Sequence, residues 1–200
     1  MVKANDQEVA FALSAAVKSG EASEQIFSTL GAIYQKQGLF AQSIDMYQKA
    51  LQINPQNFEA LSAMAACQAK SGKVADAIIS YEQATAIRPG NVAEQKALGD
   101  LYMLQGKKSQ AVSAYMRYLD KAPTDSKAAR LVGDYQFDQK NYKDAIVYLG
   151  RVTGEEAGKP DFLYRYGTAA YQLGDLRKTE EIFKRLIVLN PKNADAYKTL

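Results

Sequence analysis

The chain has 200 residues, a formal net charge of +3, no histidine, no tryptophan and one cysteine, Cys67. Those absences exclude catalysis by a serine or cysteine with a histidine base, most zinc sites and any internal disulfide. The charge is uneven, since residues 1–100 carry 8 Lys/Arg against 10 Asp/Glu and residues 101–200 carry 17 against 12.

Acids are interspersed through the basic half, so it reads as a solvated surface and not as the concentrated stripe that nucleic acid requires. No apolar run approaches the roughly 18 residues that span a bilayer, so membrane insertion is not expected. At the start, Asp6 and Glu8 precede the apolar patch of residues 9–17, and no small-residue cleavage pattern follows. The expected location is cytoplasmic, or periplasmic if a leading segment has been removed. Residues 5–19 carry the first helical pattern, with Val9, Leu13, Ala16 and Val17 on one face.

From Glu24 to Asn57 runs a unit that the rest of the chain copies. Numbering Glu24 as position 1, Leu30 and Gly31 fall at positions 7 and 8, Tyr34 at 11, Gly38 at 15, Tyr47 at 24, Ala50 at 27 and Pro55 at 32. Thirty-four residues on, and again, the same types return. Position 8 reads Gly31, Ala65, Gly99, Gly133, Gly167; position 24 reads Tyr47, Tyr81, Tyr115, Leu149, Phe183; position 32 reads Pro55, Pro89, Pro123, Ala157, Pro191.

This pattern resembles the tetratricopeptide repeat, whose aromatic, L-G, Y, A and P residues recur every 34 residues on a helix-turn-helix. The resemblance implies an all-α protein, an α-solenoid in which helical hairpins stack into a right-handed superhelix. The expected divisions are a half-repeat capping helix over 1–23, five repeats over 24–57, 58–91, 92–125, 126–159 and 160–193, and the start of a truncated sixth over 194–200.

Residue size gives each unit its logic. Small residues at positions 8 and 20, such as Gly31 with Ser43, let two helices approach, and large ones at 7 and 24 fill between layers. Gly38, Gly72, Gly106 and Gly174 are placed to end the first helix in the left-handed region, and the prolines stop the second. Cys67 reads as a buried, inert thiol. In the fourth unit Lys140 replaces the glycine beside Asn141, a residue that tolerates the left-handed region; Gln136, Leu149 and Ala157 also depart from the pattern. Its second helix is expected to end at Gly154, leaving 155–159 as a flexible loop where the array bends.

Chemistry-bearing motifs are absent. The segment Gly154 to Lys159 fails as a phosphate loop, because three residues separate its glycines and Pro160 stands where Ser or Thr belongs. The pairs Glu155/Glu156 and Glu180/Glu181 are sequence neighbours that do not converge on one atom of a helix-bound substrate. The chain therefore reads as non-enzymatic, with no cofactor and no metal.

The resemblance implies instead a concave groove lined by the first helices of the hairpins, in which a protein or peptide is bound. Carried onto this sequence, the partner-binding residues are Lys96, Asp100, Met103, Leu104, Lys127, Arg130, Asp134, Phe137, Tyr164, Arg165, Thr168 and Tyr171. Aromatics beside arginines are the types enriched at hot spots. Apolar anchors would seat the ligand, with Arg130 and Arg165 facing its acidic groups; the alternative, arginines paired within the chain, stays open. The carboxylate clamp of chaperone-binding members is broken, because only Lys96 and Arg165 match and Asp100, Leu131 and Asp161 replace its other residues. A second function class also stays open: a structural protein that self-assembles into homo-oligomers through its repeat ends or faces.

Overall fold

The computed structural model describes residues 2–199, so Met1 and Leu200, at the ends of the expected capping helix and sixth repeat, lie outside the described residues. Among the described residues all regular structure is helical, and no helix is long and apolar enough to cross a membrane. The chain divides into two compact units, Met1–Ala111 and Val112–Leu200.

The first unit holds α1 (Val2–Lys18), α2 (Glu24–Lys36), α3 (Phe40–Ile53), α4 (Phe58–Lys70), α5 (Val74–Ile87), α6 (Val92–Leu104) and the start of α7 (Lys108–Leu119). The second holds the rest of α7, then α8 (Ser126–Asp138), α9 (Tyr142–Leu149), a 3-10 helix (Gly154–Gly158), α10 (Pro160–Gln172), α11 (Leu176–Leu189) and α12 (Ala194–Thr199). Three residues join α2 to α3, α4 to α5, α8 to α9 and α10 to α11, and each of these pairs packs together. Connections so short leave the paired helices antiparallel.

Helix starts are set by one recurring cap. Ser23, Asn57, Asn91 and Asp125, spaced 34 residues apart, each accept a backbone N–H of the following first turn. Lys159 is next in that series and cannot do so. Pro160 opens α10 instead, at the one position where a missing N–H costs no hydrogen bond.

Helix ends are set by the left-handed residue. Gly38, Gly72, Gly106 and Gly174 have φ of 75°, 78°, 71° and 73°, as their position requires. After α2 the Leu39 N–H donates to the Tyr34 carbonyl at 2.9 Å, the six-to-one bond of a Schellman turn. In the fourth hairpin the left-handed residue is Lys140 itself, at φ 60°. Asn141 has φ −82° and caps α9, accepting the Asp144 N–H.

At the position-8 glycines the paired helix comes close, as their size allows. A Cβ on Gly31 would lie 2.9 Å from the Tyr47 ring, on Gly133 2.7 Å from Leu149 and on Gly167 2.8 Å from Phe183. The missing side chain thus makes room for the large position-24 residue of the same hairpin. The position-20 residue adds a polar tie, with Ser43 Oγ donating to the Gly31 carbonyl at 2.8 Å.

Two clusters illustrate how the interior of the first unit is packed. Ala10 packs with Leu30 and Ile33, flanked by Leu13, Val17 and Tyr34, so α1 covers α2. Val9, expected on that face, is instead exposed, because the register that buries Ala10 turns it outward. Ile44, Tyr47, Phe58, Leu61 and Met64 enclose Cys67. The Cys67 Sγ lies 3.3 Å from Ser43 Oγ, and burial pushes the thiol's pKa up, which keeps it in the unreactive form.

In the second unit α9 ends at Leu149, five residues before the expected Gly154. The turn after it folds Val152 into the core, at 6 % exposure, and the Thr153 N–H donates to Ser126 Oγ at 3.1 Å. The expected loop is the 3-10 helix, preceded by Thr153 in extended conformation and begun by Gly154 at φ 65°.

Candidate partner-binding surface

The twelve residues expected to bind a partner fall on three helices, one in the first unit and two in the second. On α6, Asp100 and Leu104 are exposed, Leu104 at 75 %, while Lys96 and Met103 are half-buried. The spacing of Asp100 and Leu104 is one helical turn, so the two share a side of α6.

The second unit carries Lys127, Arg130, Asp134 and Phe137 on α8 and Tyr164, Arg165, Thr168 and Tyr171 on α10. Phe137, Tyr164 and Arg165 are brought together. With Pro160, Asp161, Asn190 and Asn193 they line an open cleft of about 610 Å³. Phe137 is fixed edge-on against Tyr142, ring centroids 5.6 Å apart, and the Arg165 guanidinium lies 5.1 Å from its ring centre. Tyr164 rests against the buried Phe183 at 6.4 Å and is still 36 % exposed. Both aromatics are therefore braced from behind with part of a face left over.

Arginine chemistry in this region is largely consumed by the chain's own acids. Arg130 donates from Nε to Asp134 at 3.0 Å, from Nη1 to Glu156 at 3.5 Å and from Nη2 to Asp161. Its guanidinium also stacks 5.3 Å from the Phe162 ring centre, and its side chain is only 12 % exposed. Burial opposes the Arg130 charge, yet hydrogen bonds and attraction from Asp134 and Asp161 outweigh it and hold the guanidinium above its ordinary pKa. Asp161 responds in kind: burial would raise its pKa, and Arg130 brings it below the usual carboxylate range. Arg165 pairs with Asp138 and donates to the Asp134 carbonyl at 3.4 Å.

The open alternative for both arginines is thus what the structure displays, and Arg130 does not line the cleft. Thr168 is half-buried farther along α10, Tyr171 is 48 % exposed, and Lys127 lies exposed at the start of α8. Sequence reasoning missed Asn190 and Asn193. The available signal was at Asn193, which stands in the 34-residue series of caps and accepts the Ala196 N–H at 3.0 Å.

The hairpins can be compared with known proteins. Tetratricopeptide repeat models match residues 23–90, 72–135 and 136–200. The chain belongs to the tetratricopeptide repeat (TPR) family. No curated protein matches it by sequence. The similar solved structures that follow are of low identity and show the TPR fold alone. YrrB, described as a TPR protein with an unusual peptide-binding site, is 16 % identical with a TM-score of 0.64, over 94 % of this chain and 97 % of that one. MamA is 20 % identical with a TM-score of 0.58, over 86 % and 94 %. The pilF protein of Pseudomonas aeruginosa is 16 % identical with a TM-score of 0.56, over 98 % and 89 %. The chain is accordingly a TPR α-solenoid, a fold of protein-interaction scaffolds.

Proposed function

We infer that this chain is a non-enzymatic scaffold that holds a protein or peptide segment on the inner helices of its hairpins, anchored at the cleft of Phe137, Tyr164 and Arg165. The repeats are taken to start at residues 24, 58, 92, 126 and 160. The supporting observation is the cleft itself: two partly exposed aromatics, Phe137 braced by the half-buried Tyr142 and Tyr164 by the buried Phe183, with the Arg165 guanidinium, held by Asp138, over the Phe137 ring.

An apolar side chain of the ligand entering between Phe137 and Tyr164 removes aromatic surface from water at little conformational cost, because both rings are already fixed. The amide side chains of Asn190 and Asn193 supply polar contacts at the rim for the backbone of an extended segment. Peptide binding in a fold-similar protein, YrrB, is compatible with this reading.

The test is selection of a displayed peptide library on the wild-type chain, followed by affinity measurement with the Phe137→Ala/Tyr164→Ala variant. Selected peptides should carry an apolar or aromatic anchor and bind the variant at least about tenfold more weakly, which corresponds to the loss of about 1.4 kcal/mol. Equal affinity for both proteins would sink the assignment of the cleft. Arg130→Glu is unsuitable for the purpose, since it would invert the charge of a group bound to three carboxylates of the chain.

A further inference from the structure

Arg117, Arg151 and Arg185 are spaced 34 residues apart, so each occupies the same register of its hairpin, near the end of α7, just past α9 and within α11. All three lie in the second unit. Arg117 and Arg185 are exposed and Arg151 is half-buried. Among the described residues none of the three forms an ion pair, whereas Arg130 and Arg165 of the inner helices are both bound to carboxylates. The carboxylates of the same stretches, Asp120 and Glu181, are not engaged with them either. Lys143 and Arg177, at a matching register near the starts of α9 and α11, add to the surplus. The excess of 17 basic over 12 acidic residues in the second half of the chain is therefore carried largely by α7, α9, the turn after α9, and α11.

Arg151 is the best defined of the three. Its guanidinium lies 4.9 Å from the ring centre of Tyr148, which is itself buried, and its Nη1 is shielded from solvent with no acceptor. That nitrogen is closed to a ligand as well as to water, so an incoming oxyanion would meet the other N–H groups of the half-buried Arg151 guanidinium. Arg185 makes one bond, from Nη2 to the Ala157 carbonyl at 3.3 Å, which leaves most of its donors unused. Both side chains are partly immobilised before any ligand arrives, so less side-chain entropy remains to be lost on binding.

We propose that Arg117, Arg151 and Arg185 form a ladder that binds a carboxylate-rich, extended segment of a partner protein. The proposal rests on the reading of this chain as a protein-binding scaffold and adds a second contact surface to the cleft. Guanidinium and carboxylate match as planar bidentate pairs, and a row of unpaired arginines at a fixed repeat spacing suits a ligand carrying acids along its length. Nucleic acid fits less well. The ladder offers no exposed aromatic for base stacking, Tyr148 being covered, and the chain as a whole carries only +3.

The test is fluorescence anisotropy with a labelled poly-glutamate peptide, and with oligo-thymidine and phosphatidylserine vesicles as competing anionic probes. The wild-type chain should bind poly-glutamate more tightly than either competitor, with an affinity that falls as salt rises. Arg117→Gln/Arg151→Gln/Arg185→Gln should bind about tenfold or more weakly at unchanged helicity, and the exposed Arg117→Gln alone should weaken binding measurably. Phe137→Ala/Tyr164→Ala should bind poly-glutamate as the wild type does. Poly-glutamate binding that survives the triple substitution, or tighter binding of oligo-thymidine or vesicles, overturns the ladder. Loss of poly-glutamate binding in the cleft variant alone overturns the ladder and leaves the cleft standing, while peptides selected on the wild type report on the cleft independently.

Discussion

Lys140 holds a backbone conformation that the other hairpins assign to glycine. Its φ of 60° places a Cβ in the left-handed region, which costs an L-residue about 1 to 2 kcal/mol. The glycines at 38, 72, 106 and 174 do the same at φ of 71° to 78° without that cost. Lys140→Gly is therefore expected to stabilise the chain, by about 0.5 to 1 kcal/mol after allowing for the greater freedom of glycine when unfolded. A higher urea midpoint with an unchanged slope would agree with this; a lower one would mean that the Lys140 side chain contributes a contact worth more than the strain. The residue was legible from sequence only as an exception. That Lys140 would take the left-handed angle, and not Asn141, depended on Asn141 being used as the cap of α9.

Among the elements, the 3-10 helix Gly154–Gly158 shows how a departure from the repeat pattern is repaired. It lacks a proline and a side-chain cap, and none of its residues is buried. It is tied down from outside instead. Arg130 holds Glu156 from α8, Arg185 reaches the Ala157 carbonyl from α11, Lys159 pairs with Glu156 at 2.6 Å, and Thr153 just ahead of it is bonded to Ser126. Arg130→Met keeps the packing against Phe162 but removes three ion pairs from one half-buried centre. It should destabilise the second unit by about 2 kcal/mol and accelerate amide exchange in residues 154–158 above that of the wild type. Exchange unaffected by the substitution would show that backbone geometry alone orders the segment.

For the whole molecule, the absence of histidine removes the side chain that ordinarily titrates near neutrality, so stability should be flat from about pH 7 to pH 5. Acid is different. Glu156 is held below the usual carboxylate range by its hydrogen bond to Lys159, Glu59 by its own backbone hydrogen bond and then Arg88, and Asp161 by Arg130 against the effect of burial. A carboxylate whose folded pKa is depressed adds stability above its unfolded value and loses it as pH falls through the folded one. Unfolding midpoints in urea should accordingly drop below about pH 4, and Asp161→Asn should flatten that drop. An acid limb of the same steepness in the variant would mean that other carboxylates carry it.

The sequence by itself determined the class of the fold, because a 34-residue period in glycine, aromatic and proline positions specifies hairpins whose caps, turns and interior recur locally. It also named Phe137, Tyr164 and Arg165 among twelve expected groove residues on α6, α8 and α10, without singling out these three as neighbours. Only the tertiary structure decided which charges are spent and which are free. Arg130, Arg165, Arg151 and Arg185 look alike in sequence, but ion pairing depends on the acids that neighbouring helices place within reach. Periodicity encodes the face on which a side chain stands, whereas its partners come from residues some 30 positions away, such as Asp161 for Arg130 and Ala157 for Arg185.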